Sequence, residues 1–321
     1  MFGLTFLSAT SKTTTHRVVP FRMGRLFSGV AGYVAGGRDV GGPISGIDKI
    51  AFPADTKTTL SATLTSARMK VAGFANSGTA GYAAGGSNGG FVSGIDKIAF
   101  PADSKTTLSA TLTSARNFAA GFANSGTAGY AAGGDGSSGN ISGIDKIAFA
   151  ADTKTTLSAT LTSARYAAAG FANSGTAGYA AGGNDGGFVS GIDKIAFPAD
   201  SKTTLSATLT TSRWTAAGFA NSGTAGYAAG GNDGGNISGI DKIAFAADTK
   251  TTLSATLTST RGFVAGFAHS GVAGYVAGGD DGAKISGIDK IAFAADSKTT
   301  LSATLTTGRD SPAGFADSGG L

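Results

Sequence analysis

Residues 116–164 fall into four short runs in which apolar and polar positions alternate. The runs 119–126 (A-A-G-F-A-N-S-G) and 128–134 (A-G-Y-A-A-G-G) are joined by a Ser-Gly turn, which predicts a tight hairpin of two strands. A polar loop follows Gly133-Gly134. The run 141–149 (I-S-G-I-D-K-I-A-F) then sets Ile, Ala and Phe against polar neighbours and predicts a third strand. Asp152-Thr153-Lys154 marks a turn. In 156–162 (T-L-S-A-T-L-T), Leu157, Ala159 and Leu161 alternate with Ser and Thr, as in a fourth strand with one packed face and one wet face.

The same pattern recurs along the chain. The string S-G-I-D-K-I-A-F begins at Ser45, Ser93, Ser142, Ser190, Ser238 and Ser286, within units of 48 or 49 residues. That period marks a propeller or solenoid, and four short strands per unit make a propeller blade. The first two strands are poor in large side chains, as sterics require of strands crowded round an axis. Phe122 and Tyr130 are left to wedge between blades, with Ile147, Phe149, Leu157 and Leu161 filling the outer core.

From Val30 onward there are six copies each of the second, third and fourth strands, and the last first-strand copy is 312–319. Closure by that C-terminal strand is predicted, with Phe315 beside Tyr33. Phe21 to Gly29 also aligns with a first strand, but Arg22 and Arg25 would place charge in the crowded inner ring, a costly burial. The expected architecture is all-β: a six-bladed propeller of four-stranded blades over 30–321, preceded by an extension over 1–29.

The segments L-T-S-A-R, A-A-A-G-F-A-N-S-G and G-Y-A-A-G-G (161–183), with I-D-K-I-A-F and D-T-K-T-T-L (144–157), resemble the kelch repeat. That repeat has an Arg before its first strand, an aromatic and a Gly-Gly pair at the end of its second, and an aromatic ending its third. Leu60, Leu108, Leu157, Leu205, Leu253 and Leu301 stand where its fourth strand carries Trp, a departure from the eukaryotic adaptor branch. Near-identical units rich in Gly, Ala, Ser and Thr also resemble propeller modules of tailed-bacteriophage virion proteins and bacterial surface proteins. The resemblance implies a non-catalytic virion (tail fibre, tail or capsid-associated) or cell-surface protein in a larger assembly, serving assembly or host or glycan attachment. An intracellular, cytoplasmic kelch-type adaptor is the alternative.

Composition narrows the chemistry. There are 53 Gly, no Glu, no Gln and no Cys, and the two histidines, His16 and His269, lie far apart. Thiolate chemistry is excluded, helix formers are scarce, the Cys and the His pair needed beside Tyr by kelch-type copper oxidases are lacking, and so are the S-x-D-x-G-x-T-W box and glutamate of neuraminidase-like propellers. No enzyme, cofactor or metal is expected. Residues 1–29 hold Lys12, Arg17, Arg22 and Arg25 without an acid, whereas 30–321 carry 21 bases against 20 acids. The nearly neutral body offers no footprint for nucleic acid. The basic start reads as an attachment arm for other virion or surface proteins. Its opening, M-F-G-L-T-F-L, lacks the features of a secretory signal, and the longest uncharged stretches, such as 71–95, are too rich in Gly, Ser and Asn to insert into a membrane.

Three repeated features have structural readings. Arg68, Arg116, Arg165, Arg213, Arg261 and Arg309 are expected in a ring near one mouth of the channel, bonded to carbonyls of the neighbouring blade. Asp48, Asp96, Asp145, Asp193, Asp241 and Asp289 are expected in structural pairs, and the N-D-G-G and D-D-G-A loops as turns.

The copies differ in two places, after the Arg and after Gly-Gly. In an antiparallel blade both connections lie at one end of the strands, so all the variety falls on one face. Met69, Lys70, Asn117, Phe118, Tyr166, Trp214 and Phe263, with Phe91, Phe188, Asn184, Asp185, Asn232 and Asp233 from the loops, are the candidate binding face for a glycan or protein receptor.

Overall fold

The computed structural model describes residues 31–318. They form six antiparallel four-stranded sheets arranged in a ring, a six-bladed β-propeller without helices among the described residues. The second blade is typical: Ala72–Asn76 innermost, then Ala80–Ala84, Ile95–Ala99 and Ser104–Thr107 at the rim. The third blade adds a short strand, Arg116–Asn117, paired with Asp135 and Gly136.

Ring closure follows the predicted route. Ala313–Ala316 pairs with Ala31–Ala35, and Tyr33 lies opposite Phe315 with ring centroids 5.7 Å apart. The N- and C-terminal parts of the chain thereby share the first blade. The extension 1–29, with Lys12, Arg17, Arg22 and Arg25, lies outside the described residues.

Small residues let the inner strands meet at the axis. A Cβ built on Gly121 would lie 2.1 Å from the carbonyl oxygen of Gly73, one on Gly170 2.2 Å from that of Gly121, and the pattern continues through Gly218, Gly266 and Gly314 back to Gly73. These six glycines close a ring of direct backbone contacts. In the second strands, Gly129 leaves room for Phe74 of the preceding blade, whose ring a Cβ there would meet at 2.0 Å. Phe74 and Tyr82 also stack at 5.3 Å, and both join Ile147 and Phe149 of the next blade in one buried cluster.

Polar contacts fasten the blades as well. Asp96, buried, accepts hydrogen bonds from Thr65 N (2.9 Å) and Thr65 Oγ1 (2.6 Å) of the preceding blade, from Thr107 (2.8 Å) and from Arg68 Nη2 (3.0 Å). Arg68 also donates to the carbonyl of Ala83 at 2.9 Å. The arginines do bond carbonyls and the aspartates are paired structurally, as expected, but the two sets turn out to be each other's partners, and the guanidiniums are buried within the blades and do not line the axis. A second clasp joins Tyr82 and Lys97 to Asp152 in the turn of the next blade, at 3.1 and 2.7 Å.

The fourth strand departs from its predicted position. In five blades it covers only the segment read as a turn and the two threonines after it, such as Ser201–Thr204, and in the third it spans Thr153–Thr160. The turn falls earlier, on the four residues between the paired ends of the two strands, such as 52–55 between Ala51 and Thr56, and its last residue, an aspartate, takes a left-handed conformation, φ 47° to 53°. The leucines then lie beyond the strand in those five blades, where Leu209 and its equivalents are buried by packing on neighbouring blades.

Candidate functional site

The segments that follow the six arginines converge on the axis. Lys70, Phe118, Ala167, Thr215, Phe263 and Ser311 all have left-handed backbones, with φ between 53° and 61°. Each donates its N–H to the carbonyl of its counterpart in the preceding blade: Phe118 to Lys70 (2.8 Å), Ala167 to Phe118 (2.8 Å), Thr215 to Ala167 (2.9 Å), Phe263 to Thr215 (3.0 Å), Ser311 to Phe263 (2.7 Å) and Lys70 to Ser311 (2.7 Å). The result is a closed hydrogen-bonded hoop, one residue per blade. Left-handed conformations cost non-glycine residues about 1–3 kcal/mol, most of all a β-branched one such as Thr215, and they concentrate at functional sites.

Beneath the hoop lies an axial cavity of about 100 Å³, lined by the hoop residues and by the first-strand glycines below. Because the six blades superpose the same positions, the hoop displays Lys, Phe, Ala, Thr, Phe and Ser around one mouth.

Aromatic side chains fan across it. Phe118 and Phe263, from opposite blades, approach with centroids 6.0 Å apart. Trp214 meets Phe263 edge-on at 5.3 Å and Tyr166 at 5.5 Å, and Tyr166 lies 6.0 Å from Phe118. These rings are half-buried against each other, not standing free in solvent, because the hoop brings them within packing distance. Burial and the charge of Asp135 push the Tyr166 phenol above its usual value. Trp214 Nε1 donates to Asn232 Oδ1 at 3.3 Å, which fixes the indole against its loop.

The loops after Gly-Gly form the rim. Asn184 and Asn232 each accept the N–H of the glycine two residues on, at 3.0 Å, so these side chains shape their own turns. Asp185 and Asp233 are exposed at the tips, and Phe188 and Phe91 are exposed beside them. Met69 is half-buried, paired through its backbone with Ser87, while Asn117 is buried with its Oδ1 unpartnered.

One sector is charged instead of aromatic. Asp310, fully buried, accepts from Arg38 at 2.8 Å and from Lys284, which also reaches Asp280 at 2.5 Å. Lys70 stands beside this group with its ammonium 4.9 Å from the Phe118 ring centroid. Burial, then the charge of Arg38, holds it below the usual lysine value against the pull of Asp135 and Asp310. Arg38, Lys284 and Asp310 extend the predicted face. Their signal in the sequence was the non-repeating character of R-D-V-G-G-P, D-D-G-A-K and the dipeptide 310–311.

The opposite face repeats almost unchanged. There Asn76, Asn124, Asn173 and Asn221 each accept the N–H of a glycine in the next blade at 2.9 to 3.0 Å, and the side chains serve the ring itself. Lys105 and Lys154, on the outermost strands, bond Thr65 and Thr113 of the preceding blade at 2.8 and 2.7 Å. No family model matches the chain, and no curated protein matches it.

Proposed function

We propose that the protein is a non-catalytic, kelch-like recognition propeller that binds a glycan or protein receptor through the aromatic mouth. The single observation that carries this reading is the fan of Phe118, Tyr166, Trp214 and Phe263, half-buried but open to solvent, at the end of the axis where the repeats diverge. Large flat side chains supply apolar area and edges for a ligand at low entropic cost, and the neighbouring amides orient it. On the opposite face Asn76, Asn124, Asn173 and Asn221 are spent on joining blades. The kelch likeness is supported by the Arg, Gly-Gly and aromatic positions, each of which holds a repeated place in the blade. In this proposal the protein belongs to a virion or cell surface, with the basic segment 1–29 as its attachment arm to other surface proteins.

The test is attachment of the Phe118→Ala/Tyr166→Ala/Trp214→Ala variant to the particle or cell that carries the protein. The variant is expected to fold, judged by an unchanged β circular-dichroism spectrum, and to lose attachment. Retained attachment, or loss on substituting Lys105 or Lys154 instead, contradicts the choice of face. Isolation with one soluble intracellular client would favour the adaptor alternative.

A further inference from the structure

We infer that the mouth recognises an acidic sugar, whose carboxylate is held by Lys70 while its ring lies on the aromatic fan. The inference rests on the proposed binding role of this face and names its ligand class.

Lys70 differs from every other cation among the described residues. The buried arginines each pair with an aspartate, and the third-strand lysines, such as Lys97, each clasp an aspartate of the next blade. The outer-strand lysines bond threonines, and Arg38 and Lys284 share Asp310. Among the described residues the Lys70 ammonium has neither an ion pair nor a hydrogen bond, only the face of Phe118. It is half-buried on the wall of the axial cavity. A desolvated ammonium with three unused donors is a ready partner for a carboxylate.

The surroundings favour an anion over a second cation. Asp310 and Asp280 are already held by Arg38 and Lys284, and with Asp135 the acids around Lys70 equal the bases at three each, which leaves Lys70 as the base without a hydrogen-bond partner among the described residues. Asp135 influences Lys70 but stays beyond ion-pair distance. The aromatic edges next to that charge suit the C–H face of a pyranose, and Asn232 and Asn236, whose amides otherwise bond Trp214, Gly234, each other and the Asp280 carbonyl, each keep one N–H for a hydroxyl. A hexuronic acid combines both halves.

Calorimetric titration with sodium D-glucuronate, D-glucose and sodium acetate tests this on the wild type and on Lys70→Gln. Lys70→Asn is a second variant, because asparagine tolerates the left-handed backbone there. Glucuronate is expected to bind at least about tenfold more tightly than glucose or acetate, as one charge-assisted hydrogen bond allows. Both variants should melt as the wild type does and reduce glucuronate to the level of glucose. Equal binding of glucuronate and glucose, equal binding of acetate and glucuronate, or a preference that survives in both variants overturns the inference. So does a polyglutamate peptide that binds as tightly as glucuronate, which would indicate a protein receptor. If glucuronate shows no preference while the triple alanine variant still loses attachment, the face stands and the acidic ligand is wrong. If that variant attaches normally, the face itself is wrong.

Discussion

Asp193 lies with its carboxylate out of water, between Thr162 of the preceding blade, Thr204 of its own and Arg165. Burial alone would push its pKa up. The hydrogen bonds from Thr162, the charge of Arg165 and the bond from Thr204 outweigh this and hold it below the usual carboxylate value. A depressed folded pKa gives stability that is complete above the unfolded value and is lost as pH falls through the folded one. Acid unfolding is therefore expected to begin below about pH 4, and Asp193→Asn, which no longer titrates, should flatten that part of the stability curve. Asp193→Ala leaves Arg165 buried without its counter-charge and should destabilise the protein by about 3–5 kcal/mol, measured by urea unfolding.

The tyrosines act at the other end of the scale. Burial, together with the adjacent turn aspartate, raises Tyr33, Tyr82, Tyr130, Tyr179, Tyr227 and Tyr275 well above the ordinary phenol range. A raised folded pKa gives stability that is complete below the unfolded value, about 10, and is lost as pH rises through the folded one. The phenolate absorbance of these six should thus appear together with loss of the β spectrum. Independent titration before unfolding, at the value of free tyrosine, would contradict their role as blade clasps.

Among the elements, the innermost strands carry the tightest constraint. A methyl on Gly218 would meet the backbone of Gly170 at 2.0 Å, and neither strand can retreat without disturbing the next. Gly218→Ala is expected to cost at least the 1–3 kcal/mol of an overpacked core, whereas Gly223→Ala in the open turn that follows meets no neighbouring atom and should cost less, chiefly through its left-handed φ of 83°. Thermal melts of the two variants would rank them. The closing strand is a separate element. Removing 310–321 takes away Phe315, the hoop residue Ser311 and the Asp310 latch on Arg38, and should lower the melting temperature sharply. A truncated protein that melts unchanged would rule out C-terminal closure.

At the scale of the whole molecule, the sequence revealed whatever recurred. Six copies of a four-run pattern imply six blades, and the first-strand copy at 312–319, uncharged in its inner part where the copy at 21–29 carries Arg22 and Arg25, implies the pairing of Phe315 with Tyr33. The common face of the variable segments also follows from antiparallel connection alone. What stayed hidden depends on backbone conformation. Nothing in the identity of Phe118 or Thr215 signals a left-handed residue, so the hoop, and with it the inward turn of the aromatics, could not be read. The early start of the outermost strand was hidden for the same reason, since the turn falls on the four residues that end at a left-handed aspartate, 149–152 in the third blade, and not on Asp-Thr-Lys.

The central claim is that a repeated scaffold displays its non-repeating residues for binding at one end. Hydrogen exchange, followed peptide by peptide on the protein in its native assembly and after release, tests it most directly. The account predicts that attachment slows exchange in the segments around 69–71, 117–119, 166–168 and 214–216 and in the loops at 87–91, 184–188 and 232–236. Protection found instead at the turns around 76–79, 124–127 and 173–176, with the mouth unchanged, would contradict it.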